Sequence, residues 1–185
     1  MKRHNFMEAN FKMNLVYENI ISRRSCRVFT NQEIKKEDLD LILKAGISAP
    51  SGKNSQSWQF TVLRQQVSIQ KLEKVVGKAA NRAENYDFFA PNVIVLVSND
   101  PENVNGLADA SCAMENMFLM AHSLGISSCW INQLRAICDV EEVRSLLDSY
   151  GIPSNHIVWG IADLGYAAGT TKEVLKKEDV IKFAD

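Results

Sequence analysis

Apolar residues recur along this chain at two periods, near 3.6 and near 2, and the switch between them divides the chain into elements. Asn14 is suited to cap a first helix carrying Leu15, Ile20 and Ile21 and ending near Arg23–Arg24. Leu39, Ile42, Leu43 and Ile47 fall on one face of a second helix from Lys36 to Ala49, which Pro50 and Gly52 stop. Trp58 to Leu63 alternates as a strand. Ser68 is placed to cap a third helix through Val76. The polar, aromatic stretch 81–90 reads as a loop or a helical excursion. Val93 to Val97 is a short unbroken apolar run, the mark of a strand covered on both faces.

The longest helical signal spans about Asn105 to Leu124 and is apolar nearly all round, so it predicts a helix buried on more than one side. Gly125 ends it. Ser127–Ile131 and Ile157–Leu164 read as strands, with Asp139 capping a helix over 140–150 between them. Strands alternating with helices on short connections favour an α+β sandwich around one sheet. Residues 1–13 are polar and aperiodic and read as a flexible N-terminal arm, leaving 14–185 as a single domain.

Charge changes the picture only locally. The 185 residues hold 21 Lys and Arg against 22 Asp and Glu, so no global positive field exists for nucleic acid or anionic lipid. No apolar run approaches the roughly 20 residues of a membrane span, and the amino terminus lacks a secretory apolar core. A cytoplasmic protein is expected. Cys26, Cys112, Cys129 and Cys138 include no C-x-x-C pair, and Cys112 and Cys138 read as small buried residues. His4, His122 and His156 show no metal spacing, and His122 reads as a satisfied core or interface histidine. No metal is expected.

Standard catalytic signatures are missing. Neither G-x-S-x-G nor G-x-G-x-x-G occurs, and Gly46 to Asn54 only imitates a P-loop, with five residues between its glycines and Asn where Mg²⁺ needs Ser or Thr. Two segments remain. Residues 1–27 carry six cations against two anions, and the dense part is Arg23-Arg24-Ser25-Cys26-Arg27. Guanidinium forks and a hydroxyl match phosphate oxygens, although a helix C-terminus also attracts cations. On charge alone the two readings are even. The second segment, 49–60, breaks from a helix into a loop of small donors and amides before an aromatic strand. Taken alone it is an ordinary turn.

Together they carry more. Arg-Arg-Ser-x-Arg-x-Phe at 23–29, Ala-Pro-Ser-Gly-x-Asn-x-Gln-x-Trp at 49–58, Leu-Gly-Ile-Ser-Ser-Cys-Trp-Ile at 124–131 and Ile-Ala-Asp-Leu-Gly-Tyr at 161–166 resemble, in that order, the FMN-dependent nitroreductase family. The resemblance implies a three-layer sandwich, its mixed or antiparallel sheet flanked by helices, in a homodimer with a domain-swapped tail. It implies FMN at the subunit interface, NADH or NADPH as donor, and a small-molecule oxidant such as a nitroaromatic or quinone, served in ping-pong fashion through flavin N5. It assigns Arg23, Arg24, Ser25 and Arg27 to the phosphate and pyrimidine side, and Pro50, Ser51, Gly52 and Asn54 to a loop reaching in from the other subunit. Cys129, Trp130, Ile131, Asn132 and Gln133 match the strand end along the ring, with the Asn132 backbone N–H near N5. The cofactor then carries the redox step, and the protein supplies orientation and electrostatics.

The chain departs from the family pattern in two places. Position 57 is Ser where Pro is usual, and the family's tail cation falls near Val174 or Leu175, so that either a shifted tail brings Lys172 or Lys176 in its place or FMN binds with fewer phosphate contacts. Other outcomes of the same resemblance are a non-catalytic flavin store or redox sensor, and a dehalogenase or flavin-fragmenting relative.

Overall fold

A computed structural model of the chain describes residues 14–170, 174–177 and 179–184. The expected arm over 1–13 and the tail residue Lys172 lie outside them.

The order is α1 (Leu15–Ser22), α2 (Lys36–Ile47), β1 (Trp58–Leu63), α3 (Gln66–Ala79), β2 (Val93–Asn99), α4 (Gly106–Ser123), β3 (Ser127–Ile131), α5 (Glu141–Ser149) and β4 (Ile157–Gly165). The Asn14 side chain accepts from the N–H groups of Val16 and Tyr17 at 3.0 and 3.1 Å, so the first cap stands where the sequence puts it. Two other expected caps do not form. α3 begins at Gln66 behind Gln65, which makes Ser68 an interior residue of the first turn. Asp139 pairs with Arg144 at 3.3 Å instead of capping α5, whose N-cap is Val140. α2 stops at Ile47, and that side chain is exposed, not part of the buried face. Residues 81–90 form turns with left-handed backbone at Asn81, Phe89 and Ala90.

The four strands lie in the order β1-β2-β4-β3, all neighbours antiparallel. The one parallel feature among the described residues is an isolated bridge between Ser25 and Ser128. β2 is buried along its whole length, as its unbroken apolar run requires. Its two faces feed two cores. Ile94 and Leu96 join Ile69, Leu72 and Val76 of α3, Leu147 of α5 and Ile161 of β4. Val93, Val95 and Val97 join Leu39 and Ile42 of α2, Met114 and Met117 of α4, and Ala162 of β4. The architecture is therefore α2/α4, sheet, α3/α5: three layers, α+β.

Gly46 lets α2 approach α4, because a Cβ there would overlap Met117. Met117 is wholly buried inside its own chain. α4 is buried on two sides in this chain, against the sheet beneath and against α2 beside it, while Ala108, Cys112 and Glu115 form an exposed outer face, and Cys112 is exposed contrary to expectation. The helix reads as apolar nearly all round because Leu107, Ala108 and Cys112 sit on its exposed side, a pattern that periodicity alone does not distinguish from burial.

Candidate functional site

The arginine segment is built by backbone pairing. The Cys26 N–H donates to Ser128 O at 2.9 Å, the Thr30 N–H to Tyr166 O at 2.8 Å, and the Ala168 N–H to Val28 O at 2.9 Å. Residues 25–30 are thus laid between the free edge of β3 and the chain leaving β4. Phe29 fixes the depth. A Cβ at Gly165 would lie 2.8 Å from its ring, so the glycine of Leu-Gly-Tyr is where the phenylalanine of Arg-x-Phe packs. Two of the four sequence motifs meet at that contact.

Above this seam lies a cleft of about 710 Å³ lined by Arg23, Arg24, Ser25, Arg27, Gly169 and Lys176, among others. Lys176 is the tail cation that the described residues bring to it. The arginines are poorly neutralised. Arg23 reaches Glu115 only at 3.8 Å, Arg24 turns its guanidinium onto the carbonyls of Ile21 and Arg23, and Arg27 lies over the Phe89 ring at 5.8 Å. Three guanidiniums and a hydroxyl at one mouth, with one long carboxylate contact between them among the described residues, form a donor set for a phosphate.

Arg27 also borders a second cavity of about 370 Å³, whose other walls are Arg82, Phe89 and residues 129–133. The two cavities thus make one groove, cationic at one end and edged by a strand terminus at the other. Cys129 and Ile131 point into the core, so they meet the groove through backbone, while the half-exposed Trp130 tilts on Phe118 on the opposite face of the sheet. The Asn132 N–H is exposed and donates to the Gln133 side-chain oxygen at 3.1 Å; rotation of that amide frees it for an acceptor in the groove. Burial, then the neighbouring Asp163, pushes the Cys129 thiol up to about 11, which removes it as a nucleophile near neutral pH.

The loop 50–54 is elsewhere. The Gly52 N–H donates to Asp109 at 2.9 Å, at the first turn of α4, whereas Ser22 beside the arginines meets His122 at 2.8 Å, at its last turn. Thirteen residues of helix separate the two anchors, about 20 Å along the axis. Within one chain, Pro50, Ser51, Gly52 and Asn54 do not join Arg23–Arg27. Lys53, Asn54 and Gln56 hold left-handed backbone with φ of 55, 56 and 46°, and they face solvent. Asn54 is held by the Gln56 amide at 2.8 Å. His122 is satisfied as expected, its pKa lowered by burial and then by Arg23 and Arg24.

Sequence reasoning missed Arg82 and Phe89. Both sit in the aperiodic stretch 81–90, where no pattern marks a side chain as facing a groove. The signal present was compositional: an arginine and three aromatics between a helix and a buried strand.

A sequence profile described as the Nitroreductase family matches residues 20–166. A solved nitroreductase with bound FMN from Bacteroides fragilis superposes with a TM-score of 0.88 at 37% identity, covering 94% of this chain and 100% of that one. A protein of Archaeoglobus fulgidus, provisionally named NADH dehydrogenase/NAD(P)H nitroreductase, is 33% identical over 154 residues, 80% of this chain and 82% of that protein. The FMN reductase (NADPH) of Bacillus subtilis is 25% identical over 165 residues, 78% of this chain and 66% of that protein.

Proposed function

The chain belongs to the nitroreductase family, and on that premise we propose that it is an FMN-dependent oxidoreductase drawing on NADH or NADPH. The electrons go to a small-molecule acceptor such as a nitroaromatic or a quinone. The observation that carries this reading is the groove itself, in which a cluster of weakly neutralised arginines and an exposed strand-end N–H share one continuous wall through Arg27. The groove would hold FMN, which would supply the two-electron chemistry that links the nicotinamide donor to the acceptor.

The chain's own work is binding and orientation. Arg23, Arg24 and Ser25 are the phosphate donors, with Lys176 as the described cation of the tail. Arg27 serves the pyrimidine edge, where a fixed positive charge favours the reduced, anionic ring. The Asn132 N–H, on the wall of the groove, would be the backbone donor offered to the flavin ring. A backbone N–H just past a strand whose Ser128 and Cys129 pair with Leu164 and Asp163 costs little reorganisation, which is why this role falls to main chain and not to a side chain.

The site is completed by a second copy. Pro50, Ser51, Gly52 and Asn54 lie about 20 Å from the arginines in their own chain, so their part in binding the ring requires the partner's loop. A homodimer with tails exchanged between protomers supplies that arrangement.

The test is spectral. Purified protein is expected to show a flavin band that bleaches on anaerobic addition of NADH or NADPH and returns with a quinone. A band that persists under donor identifies a flavin store or sensor; no band in folded protein overturns the reading. Arg27→Ala should weaken FMN binding by about tenfold or more, as loss of a charge-assisted contact does. Unchanged affinity in that variant removes Arg27 from the site.

A further inference from the structure

The groove continues past Gln133. The cavity at Arg27 and Asn132 opens, across shared walls at Arg82, Phe89, Ile131 and Gln133, into a third of about 340 Å³ beside Asn85 and Tyr86. That one opens across Arg82, Ala83 and Tyr86 into a fourth of about 620 Å³ on the outer face of α3. Arg82 borders all three. The flavin reading occupies the first two cavities and leaves this outer arm without an assignment.

Its chemistry is specific in kind. Gly77 brings the floor close under an aromatic ring: a Cβ there would lie 3.1 Å from Tyr86 Cδ1. The half-buried Tyr86 ring is held edge-on to Phe88, with centroids 5.8 Å apart, which fixes it as a platform. Gln70 and Asn81 add amides that both donate and accept. Lys78 is committed to Glu142 at 2.7 Å, but Lys74 and Arg82 make no ion pair among the described residues. The Glu73 carboxyl does not oppose them, because it is buried and turned inward onto the Phe88 N–H at 2.9 Å. Glu84 stands exposed at the rim, an acceptor for hydroxyl groups.

An aromatic platform, base-pairing amides, a carboxylate for hydroxyls and two unpaired cations match an adenosine diphosphate. We propose that this outer arm binds the ADP half of the pyridine dinucleotide donor, with its pyrophosphate between Arg82 and Lys74 and its adenine at Tyr86. The assignment rests on the flavin reading of the inner cavities. Because Arg82 lines both the cavity of the Asn132 N–H and the outer arm, one extended dinucleotide spans from the ring position to Lys74 without leaving the groove.

The experiment uses the FMN-loaded full-length protein and ADP-ribose, which carries the ADP half and no nicotinamide. Calorimetry should show ADP-ribose binding to wild type and to Lys74→Arg alike, and roughly tenfold more weakly to Lys74→Glu, the loss expected of one charge-assisted contact. Lys74→Glu should raise KM for NADH and NADPH by a similar factor at unchanged kcat. It should leave the oxidation of reduced N-benzylnicotinamide, a donor without the ADP half, as in wild type. Absence of ADP-ribose binding, equal binding by Lys74→Glu, or equal loss with the truncated donor overturns the proposal. Failure of the flavin reading would show separately, as folded protein without a flavin band.

Discussion

Asp163 is wholly buried on the α3/α5 face of β4, across from Cys129 and Ile94, and neither of its carboxyl oxygens has a hydrogen-bond partner among the described residues. Burial, and then Glu73 and Asp87, hold its pKa well above the ordinary 3.8, so the native protein keeps it protonated where the unfolded chain ionises it. Between those two values the native state binds more protons than the unfolded state, and stability falls as pH rises. Below about pH 4 both states carry the proton and the penalty vanishes. Asp163→Asn, neutral at every pH, should therefore melt higher than wild type at neutral pH, with a gap that closes toward pH 4. A gap that stays constant across that range would mean Asp163 is ionised in the native protein. The Tyr86 hydroxyl, also buried without a partner and pushed up to about 12 mainly by burial, belongs to the same polar inclusion.

At the scale of elements, the loop after α2 shows how a site is held by residues that do not touch a ligand. Asp109, buried on α4, accepts from the Gly52 N–H and from the Asn103 amide, each at 2.9 Å, and Asn103 reaches Ser57 at 3.0 Å. A Cβ at Gly52 would displace the Asn105 side chain, so glycine lets the loop lie close against the start of the helix. Asp109→Ala leaves the Gly52 N–H without its partner, a cost of about 1–3 kcal/mol. It should lower both the melting temperature and the FMN affinity, although Asp109 contacts no part of the arginine groove. Unaltered FMN affinity in a destabilised protein would separate the loop from the site.

The same elements show what the sequence makes legible. β1 is found at its predicted ends because polar residues, Ser57 and Arg64, bound its apolar and aromatic run, and β3 because Gly125 ends α4 just before it and the polar pair Asn132–Gln133 follows it. The Asn14 cap forms with both of that side chain's hydrogen bonds among the described residues going to the first turn, Val16 and Tyr17. Asp139 fails as a cap because Arg144, which also donates to the carbonyl of His156 at 2.8 Å, offers its carboxylate a charged partner. The arginine segment and the 129–133 strand end were visible as motifs. Their junction through Phe29 and Gly165 was not, since it is a long-range contact with no periodic signature. Arg82 and Phe89 escaped because left-handed residues without glycine shape that loop.

For the whole molecule the decisive fact is how much apolar surface one chain leaves in water. Leu15, Val16, Ile20 and Ile21 are all exposed, and α1 buries no residue at all. Eight residues with that composition are too few to be a stable helix on their own, so most of the stability of α1 must come from packing. Val180, Ile181 and Phe183 near the carboxy terminus are exposed as well. Covering α1, the outer face of α4 and these tail residues across a two-fold interface would remove that area from water, and would carry loop 50–54 of one protomer toward the arginines of the other. Met117 is no test of this, because it is enclosed by its own chain and a charge there would unfold the protomer. Ile20→Asp is the better probe, since its side chain faces out and touches neither core. The variant should shift the protein toward monomer and release FMN in the same concentration range, read by sedimentation with flavin absorbance recorded on the same boundary. An insoluble variant would call for Ile20→Ser, with the dissociation shifted to lower concentration. A compact monomer that still carries FMN would place the complete site inside one chain and dismiss the shared one.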